Sequence, residues 1–165
     1  MRLLAFIAAT LFLACGERQP TAKKEVRNGE EVYLVESDDD AMNQAIAKAK
    51  ATYPEFVKAL SVHDSAAMNG SVKLMFEAAR SVEHLWVNKL YFADGKLFGV
   101  VNNTPLHEVN LKLGDTVEVD RNTVSDWMYV KNGKLQGGYT IRLLYNKMTA
   151  ADKADFIREA GFTIE

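Results

Sequence analysis

The stretch SVKLMFEAARSVEHLWVNKLYFADGKLFGVV, residues 71–101, decides the fold class. In its first part, apolar residues alternate with their neighbours along an extended chain. One side carries Val72, Leu74 and Phe76, and the other carries Lys73, Met75 and Glu77. A period of two is typical of a half-buried strand. The runs 82–92 and 96–101 flank Asp94-Gly95, a pair that favours a tight hairpin turn. Residues 71–101 therefore predict an antiparallel sheet.

Further strands are predicted downstream of this stretch. Residues 116–119 form a short strand, and residues 127–131 form another that the turn pair Asn132-Gly133 joins to Leu135. The last strand is predicted over residues 139–145, because apolar side chains alternate there. Its predicted inward side chains are Tyr139, Ile141, Leu143 and Tyr145.

Helices are predicted at both ends of the sheet. The first begins at the acidic residues 38–40, and Pro54 stops or kinks it after Tyr53. A short turn over 55–60 then packs Phe56 and Leu60 inward. The last helix begins at a capping residue and ends at a left-handed one, which are Thr149 and Gly161. The predicted class is α+β, with an N-terminal helix, a curved half-barrel-like antiparallel sheet of about five to six strands, and a C-terminal helix.

The first residues resemble a bacterial lipoprotein signal peptide. Residues 3–14, LLAFIAATLFLA, are uncharged, are too short to span a bilayer as a helix, and end directly before Cys15. The resemblance implies that residues 1–14 are a signal peptide and that Cys15 is acylated once they are removed. Residues 15–31 are then the lipidated N-terminus and a flexible tether, and residues 32–165 are a single globular domain.

Acylation of Cys15 also implies a location. Several acyl chains would anchor the chain stably to a membrane of the cell envelope, as in palmitate-bearing lipoproteins, with the domain facing the periplasm. Gly16 after the cysteine resembles the pattern that sorts lipoproteins to the outer membrane of a host with two membranes.

Composition argues against several classes of function. The 165 residues carry a net charge of −2, which offers no positive surface for nucleic acid. One cysteine cannot form an internal disulfide or a CxxC redox pair. The three histidines show no zinc-binding spacing, being His63, His84 and His107. Phosphate-binding and nucleophile motifs are also missing from the sequence, so neither a metal nor a cofactor is predicted.

Glu83-His84 is one candidate for acid–base chemistry. On a strand the two side chains point to opposite faces and cannot readily share a substrate. His84 instead shares a face with Trp86, where it is either a hydrogen-bonded structural histidine or a base.

Residues 124–129 and 137–142 bring aromatic side chains, two glycines, Asp126 and Arg142 into neighbouring segments. An exposed Trp, Tyr and Arg cluster is typical of a protein-binding hot spot, and an Asp126–Arg142 ion pair is conceivable. The alternative is that Trp127 and Tyr139 belong to the core and that Gly137-Gly138 marks a bulge or a close backbone approach.

Six short motifs resemble the YegJ-like bacterial family, a domain (DUF2314) of unknown function. They are Asp39–Met42, Val82–Trp86, Phe98–Asn103, Gly114–Val117, Asp126–Tyr129 and Gly137–Arg142. The resemblance extends over roughly residues 35–162. It implies an envelope setting for some members and no established reaction, cofactor or catalytic residue.

The sequence thus favours a lipid-anchored module that binds an envelope protein. The candidate binding surface comprises His84, Trp86, Asp126, Trp127, Tyr129, Tyr139 and Arg142. One alternative is a small hydrolase or lyase that uses Glu83, His84 or Asp126 as acid or base. Another is an inhibitor or immunity protein directed against an envelope-attacking enzyme.

Overall fold

The computed structural model describes residues 23–27, 30–34, 40–78 and 81–165. Six strands form one antiparallel sheet, and they are β3 Ser71–Ala78, β4 Ser81–Ala93, β5 Lys96–Val101, β6 Thr116–Glu118, β7 Val124–Lys131 and β8 Lys134–Gly137. Their order across the sheet is β6-β5-β4-β3-β7-β8. The helices in this part of the chain are α1 Asp40–Ser61, α2 Ser65–Met68, α3 Tyr139–Lys147 and α4 Ala150–Ala160. The sheet curves without closing, and the predicted α+β class is confirmed.

A separate hairpin precedes this domain. Its strands are β1 Lys23–Arg27 and β2 Glu30–Leu34, which pair antiparallel from Lys23 opposite Leu34 to Arg27 opposite Glu30. Residues 23–27 and 30–31 of the tether predicted over residues 15–31 lie in this hairpin. Residues 1–14, predicted to be a signal peptide, and Cys15 lie outside the described residues.

Helix α1 continues through Pro54, where the sequence predicted a stop or a kink. Proline removes one backbone donor at this point. The residues beyond it compensate, because Phe56 and Leu60 are 1% and 2% exposed. Burial of two large side chains outweighs the missing hydrogen bond. The predicted inward packing of Phe56 and Leu60 is confirmed.

Residues 139–145 form helix α3 rather than the predicted closing strand. Gly137 and Gly138 both have positive φ, at 65° and 63°, and turn the chain out of β8. The Asp126 carboxylate then accepts hydrogen bonds from the backbone amides of Tyr139 and Thr140 at 3.1 and 2.8 Å. The left-handed turn at Gly137-Gly138 and the cap from Asp126 of β7 therefore favour a helix, although the apolar residues of 139–145 alternate as in a strand.

The core lies between α1 and one face of the sheet. Trp127 Nε1 donates to the Ala49 carbonyl of α1 at 3.1 Å, and the Trp127 ring stacks on Phe56 with 5.3 Å between centroids. The sheet side chains in this core include Val72, Leu74, Val87, Leu90, Leu97 and Val124. Val72 and Leu74 alternate with half-buried neighbours along β3, as the sequence predicted, whereas the register shift in β4 places Val87 and Leu90 three residues apart on the core side.

Helix α4 has the ends that the sequence predicted. The Thr149 side chain accepts from the Asp152 amide at 3.2 Å, and Gly161 follows in the left-handed region at φ 70°. Beyond Gly161, Thr163 forms an isolated parallel β-bridge with Lys134, which holds the residues after α4 against β8. None of the helices in the described ranges is long and apolar enough to cross a membrane.

Candidate binding surface

The predicted hot spot does not form one surface. Trp127 is 4% exposed and belongs to the core. Tyr129 and Tyr139 are half-buried, and the ring of each contacts the Trp127 ring, with 6.1 and 6.0 Å between centroids. Of the two interpretations left open by the sequence, the core interpretation therefore holds for Trp127. Tyr139 packs against that core and keeps part of its surface accessible.

Arg142 and Asp126 each have other partners instead of an ion pair with one another. The Arg142 guanidinium donates to three backbone carbonyl oxygens, those of Leu135, Gly137 and Glu165, at 2.6 to 2.7 Å. Arg142 thus ties the turn before α3 to the chain end. Asp126 is fully buried and accepts from the amides at the start of α3. Both residues stabilise the fold at this edge of the sheet.

The acid–base candidates are also separated. Glu83 is 6% exposed, and its carboxylate accepts from the His107 amide at 3.1 Å. His84 points to the other face, where Nδ1 lies 2.9 Å from Ser125 Oγ. Asp126 caps α3. A cavity of about 480 Å³ lies between α1 and the β4–β5 hairpin, and none of the three residues lines it.

Among the described residues, the face of the sheet opposite α1 is less buried than the face that packs on α1. It is defined by four cross-strand pairs on β3, β4 and β5, namely Lys73 with Trp86, Met75 with His84, Asn88 with Val100, and Tyr91 with Phe98. Every one of these side chains is half-buried or exposed, whereas their strand neighbours Val72, Leu74, Leu85, Val87, Leu97 and Val101 are buried. We call this set of eight residues the open face.

Aromatic and apolar side chains dominate the open face. Tyr91 is 46% exposed, and its ring stacks on Phe98 with 5.8 Å between centroids. Lys73 Nζ lies 5.3 Å from the centroid of the Trp86 ring, within range of a cation–π contact. The solvated face of an antiparallel sheet is usually polar. An apolar solvated face is therefore a departure that points to a binding role.

Polar groups border the open face on β7. A bulge sets both Ser125 and Asp126 opposite Lys73. Burial lowers the pKa of His84 to about 4, assisted by the charges of Lys73 and Lys50, so the imidazole is neutral at pH 7. Burial also lowers the pKa of Lys73, and the Asp126 carboxylate opposes that change. This border therefore adds little charge to the face.

The binding surface predicted from the sequence includes one end of the open face and not the other. His84 and Trp86 were singled out, and both lie there. Tyr91 and Phe98 were not, because a bulge at Lys89, with φ 48°, breaks the period of two in β4. The signal that was available is the turn pair Asp94-Gly95, since counting back from it pairs Tyr91 with Phe98.

Comparisons with known proteins agree with the resemblance seen in the sequence. The family described as "Uncharacterized protein conserved in bacteria (DUF2314)" matches residues 39–164. A protein of Escherichia coli K12 named "Uncharacterized protein YegJ" is 30% identical over 104 residues, which cover 63% of this chain and 67% of that protein.

A protein of Neisseria meningitidis serogroup B is 33% identical over 132 residues and is named "Putative ankyrin repeat protein". The match covers 75% of this chain and 52% of the Neisseria protein, so the chain spans about half the length of that relative. No solved structure matches the chain.

Proposed function

The chain belongs to the bacterial DUF2314 family, and from that premise we propose that its domain binds another protein through the open face. Trp86, Tyr91 and Phe98 are the proposed central contacts. The observation that carries the proposal is an apolar sheet face that stays half-exposed while the opposite face packs against α1 over most of the core. Aromatic residues and Met are enriched where proteins bind one another.

The electrostatics of the open face favour a protein partner over a phosphate-bearing one. Lys73 lies against Trp86 and beside Asp126, and His84 is neutral at pH 7. A surface that binds phosphates presents several free cations. Low charge together with three aromatic rings instead suits a desolvated contact between proteins.

One relative is consistent with such a role. The Neisseria protein carries ankyrin repeats in its name, and stacked repeats of that kind form extended binding surfaces. A domain joined to such repeats would act beside other binding elements. The hydrolase or lyase alternative has weaker support, because Glu83 and His84 point to opposite faces and Asp126 is occupied at the start of α3.

The proposal includes a membrane anchor on Cys15. Its support is the uncharged run 3–14 that ends at the cysteine. Metabolic labelling with palmitate, followed by membrane fractionation, tests it. We expect the wild type to take up label and sediment with envelope membranes, and Cys15→Ser to lose both properties. An unlabelled wild type would refute the anchor and leave the open-face proposal standing.

The binding proposal is tested by a pair of adjacent residues. Tyr91 and Phe92 are 46% and 48% exposed, but Tyr91 lies on the open face and Phe92 on the α1 side. Tagged wild type, Tyr91→Ser and Phe92→Ser are compared by affinity capture from solubilised envelopes with quantitative mass spectrometry. Thermal melts followed by circular dichroism check that both variants fold.

The expected result is a protein captured by the wild type and by Phe92→Ser and lost by Tyr91→Ser. The proposal fails if Tyr91→Ser retains every captured protein, or if both folded variants lose the same proteins. Because the two exposed areas are nearly equal, a general loss of surface apolarity cannot produce the expected pattern.

A further inference from the structure

The cavity of about 480 Å³ lies on the α1 side of the sheet, away from the open face. One wall is α1, through Tyr53 and Val57, and the other is the β4–β5 hairpin, through Phe92 and Leu97. Val119 adds a further apolar side chain. Small-molecule sites commonly have volumes of roughly 300 to 1,000 Å³ and mostly apolar walls with a few polar groups. The size and lining of this cavity fit that description.

The Tyr53 hydroxyl at these walls has no hydrogen-bond partner among the residues that the structure describes. Tyr53 is 5% exposed as a whole residue, and its hydroxyl oxygen, which makes no hydrogen bond to any residue in the described ranges, is accessible from the cavity side rather than fully buried. Burial raises the pKa of Tyr53 to about 12, with the positive charge of Arg121 opposing the change. The hydroxyl therefore keeps its proton at neutral pH and can donate a hydrogen bond to a ligand.

A single free cation stands at the same cavity. Among the other charged groups at its mouth, Lys96 pairs with Glu118 at 2.8 Å, whereas the Asp120 carboxylate accepts from the Asn122 amide at 2.9 Å and keeps its negative charge. Arg121 lines the cavity and forms no ion pair within the part of the chain that the structure describes. Its guanidinium has donors arranged to match a carboxylate.

We propose that this cavity binds a small organic monocarboxylate with an aromatic or branched apolar body. The carboxylate accepts hydrogen bonds from Arg121 and from the Tyr53 hydroxyl, while the body packs between Val57, Phe92 and Leu97. Arg121 supplies one guanidinium and the Asp120 carboxylate lies beside it, so a singly charged carboxylate is favoured over a doubly charged phosphate ester. This site is independent of the open face, so its failure would leave the protein-binding proposal untouched.

The test uses phenylacetate as the probe and phenylacetamide as its uncharged isostere. Each is titrated into the full-length chain, with Cys15 replaced by Ser so that no lipid is attached, and amide shifts are followed by NMR. We expect saturable shifts around Leu97, Val119 and Arg121, with phenylacetate binding about tenfold tighter than phenylacetamide, a difference of about 1.4 kcal/mol.

Two variants separate the proposed contacts from general packing. Arg121→Gln removes the charge of an exposed residue, and Tyr53→Phe removes only the hydroxyl. Arg121→Gln should weaken phenylacetate and bring acid and amide close to parity, and Tyr53→Phe should weaken phenylacetate, whereas Lys58→Gln, an exposed charge that does not line the cavity, should change neither affinity nor selectivity. Equal binding of acid and amide by the wild type, shifts that map elsewhere, no saturable shift, or unchanged selectivity in Arg121→Gln would each overturn the proposal.

Discussion

Asp126 is fully buried, and both of its carboxylate oxygens are used. Oδ1 accepts from the amides of Trp127 and Tyr139, and Oδ2 accepts from the amide and the hydroxyl of Thr140. Burial raises the pKa of Asp126, and the hydrogen bonds from Thr140 and Trp127 oppose that change. The side chain thus supplies the cap that Gly138, at the N-terminal end of α3, cannot supply itself.

Replacing Asp126 by Asn should lower the free energy of unfolding by about 2 to 3 kcal/mol. An amide can present one oxygen, so its NH₂ group would face the donors of Thr140 or Tyr139. Asp120→Asn is the control, since only Oδ1 of Asp120 accepts there, from Asn122, and Asn caps about as well as Asp. Urea unfolding measures both. Equal losses in the two variants would contradict this account of Asp126.

His84 makes the stability of the domain depend on pH. Its folded pKa of about 4 lies below the ordinary value of about 6.5. As pH falls through about 6.5, the unfolded chain takes up a proton that the folded chain does not. The contribution of His84 is therefore fully present above pH 6.5 and is lost progressively down to about pH 4.

The His84 component can be isolated by comparing wild type with His84→Gln. The stability of the wild type relative to the variant should fall as pH is lowered from about 6.5 to about 4, because only the wild type contains the titrating imidazole. The raised pKa of Asp126 acts with the opposite sign in acid, and it is common to both chains. Urea unfolding across this range measures the difference. Parallel curves would show that His84 titrates normally in the folded state.

Trp127 shows what residue type alone leaves open. Trp near Tyr and Arg is typical both of hot spots and of cores, and the sequence gives no measure of which applies. The deciding contact joins Trp127 Nε1 to the Ala49 carbonyl, 78 residues away in the chain. A hydrogen bond at that separation depends on how α1 packs on β7, and local pattern carries no information about it.

At the scale of elements, the predictions held where the determinants are local. The β4–β5 and β7–β8 hairpins turn at Asp94-Gly95 and Asn132-Gly133, whose four residues all have positive φ. The predictions failed where distant residues decide. Pro54 stays inside α1 because the helix beyond it packs against Trp127, and α3 forms because Asp126 of β7 caps it.

Gly137 and Gly133 separate backbone strain from steric conflict. Both have positive φ, at 65° and 72°. A Cβ on Gly133 would meet nothing within 4 Å, whereas one on Gly137 would lie 2.2 Å from the Trp127 carbonyl oxygen. Gly133→Ala should cost about 1 kcal/mol of stability from the left-handed conformation alone.

Gly137→Ala should cost roughly 1 to 3 kcal/mol more than Gly133→Ala, because the β8 backbone must move away from a buried strand. Thermal or urea unfolding of the two variants gives the comparison directly. If Gly137→Ala proved no more destabilising than Gly133→Ala, the close approach to Trp127 would not be a constraint on the turn into α3.

On the scale of the whole molecule, the two faces of the sheet differ in what covers them. Helix α1 packs against one face over the core that contains Val72, Leu74 and Trp127. The other face presents Trp86, Tyr91 and Phe98 at least partly to solvent. A domain built this way can accept polar substitutions on its open face while its core stays intact. The proposed binding surface and the stability of the fold are therefore separable.

The most direct test of protein binding through the open face is photo-crosslinking in the native host. The full-length chain carries p-benzoylphenylalanine in place of either Tyr91 or Phe92, which are adjacent, similarly exposed and on opposite faces. On irradiation, we expect a defined crosslinked protein from position 91 and none from position 92. Equal crosslinking from both positions, crosslinking from position 92 alone, or none from position 91 would contradict this expectation.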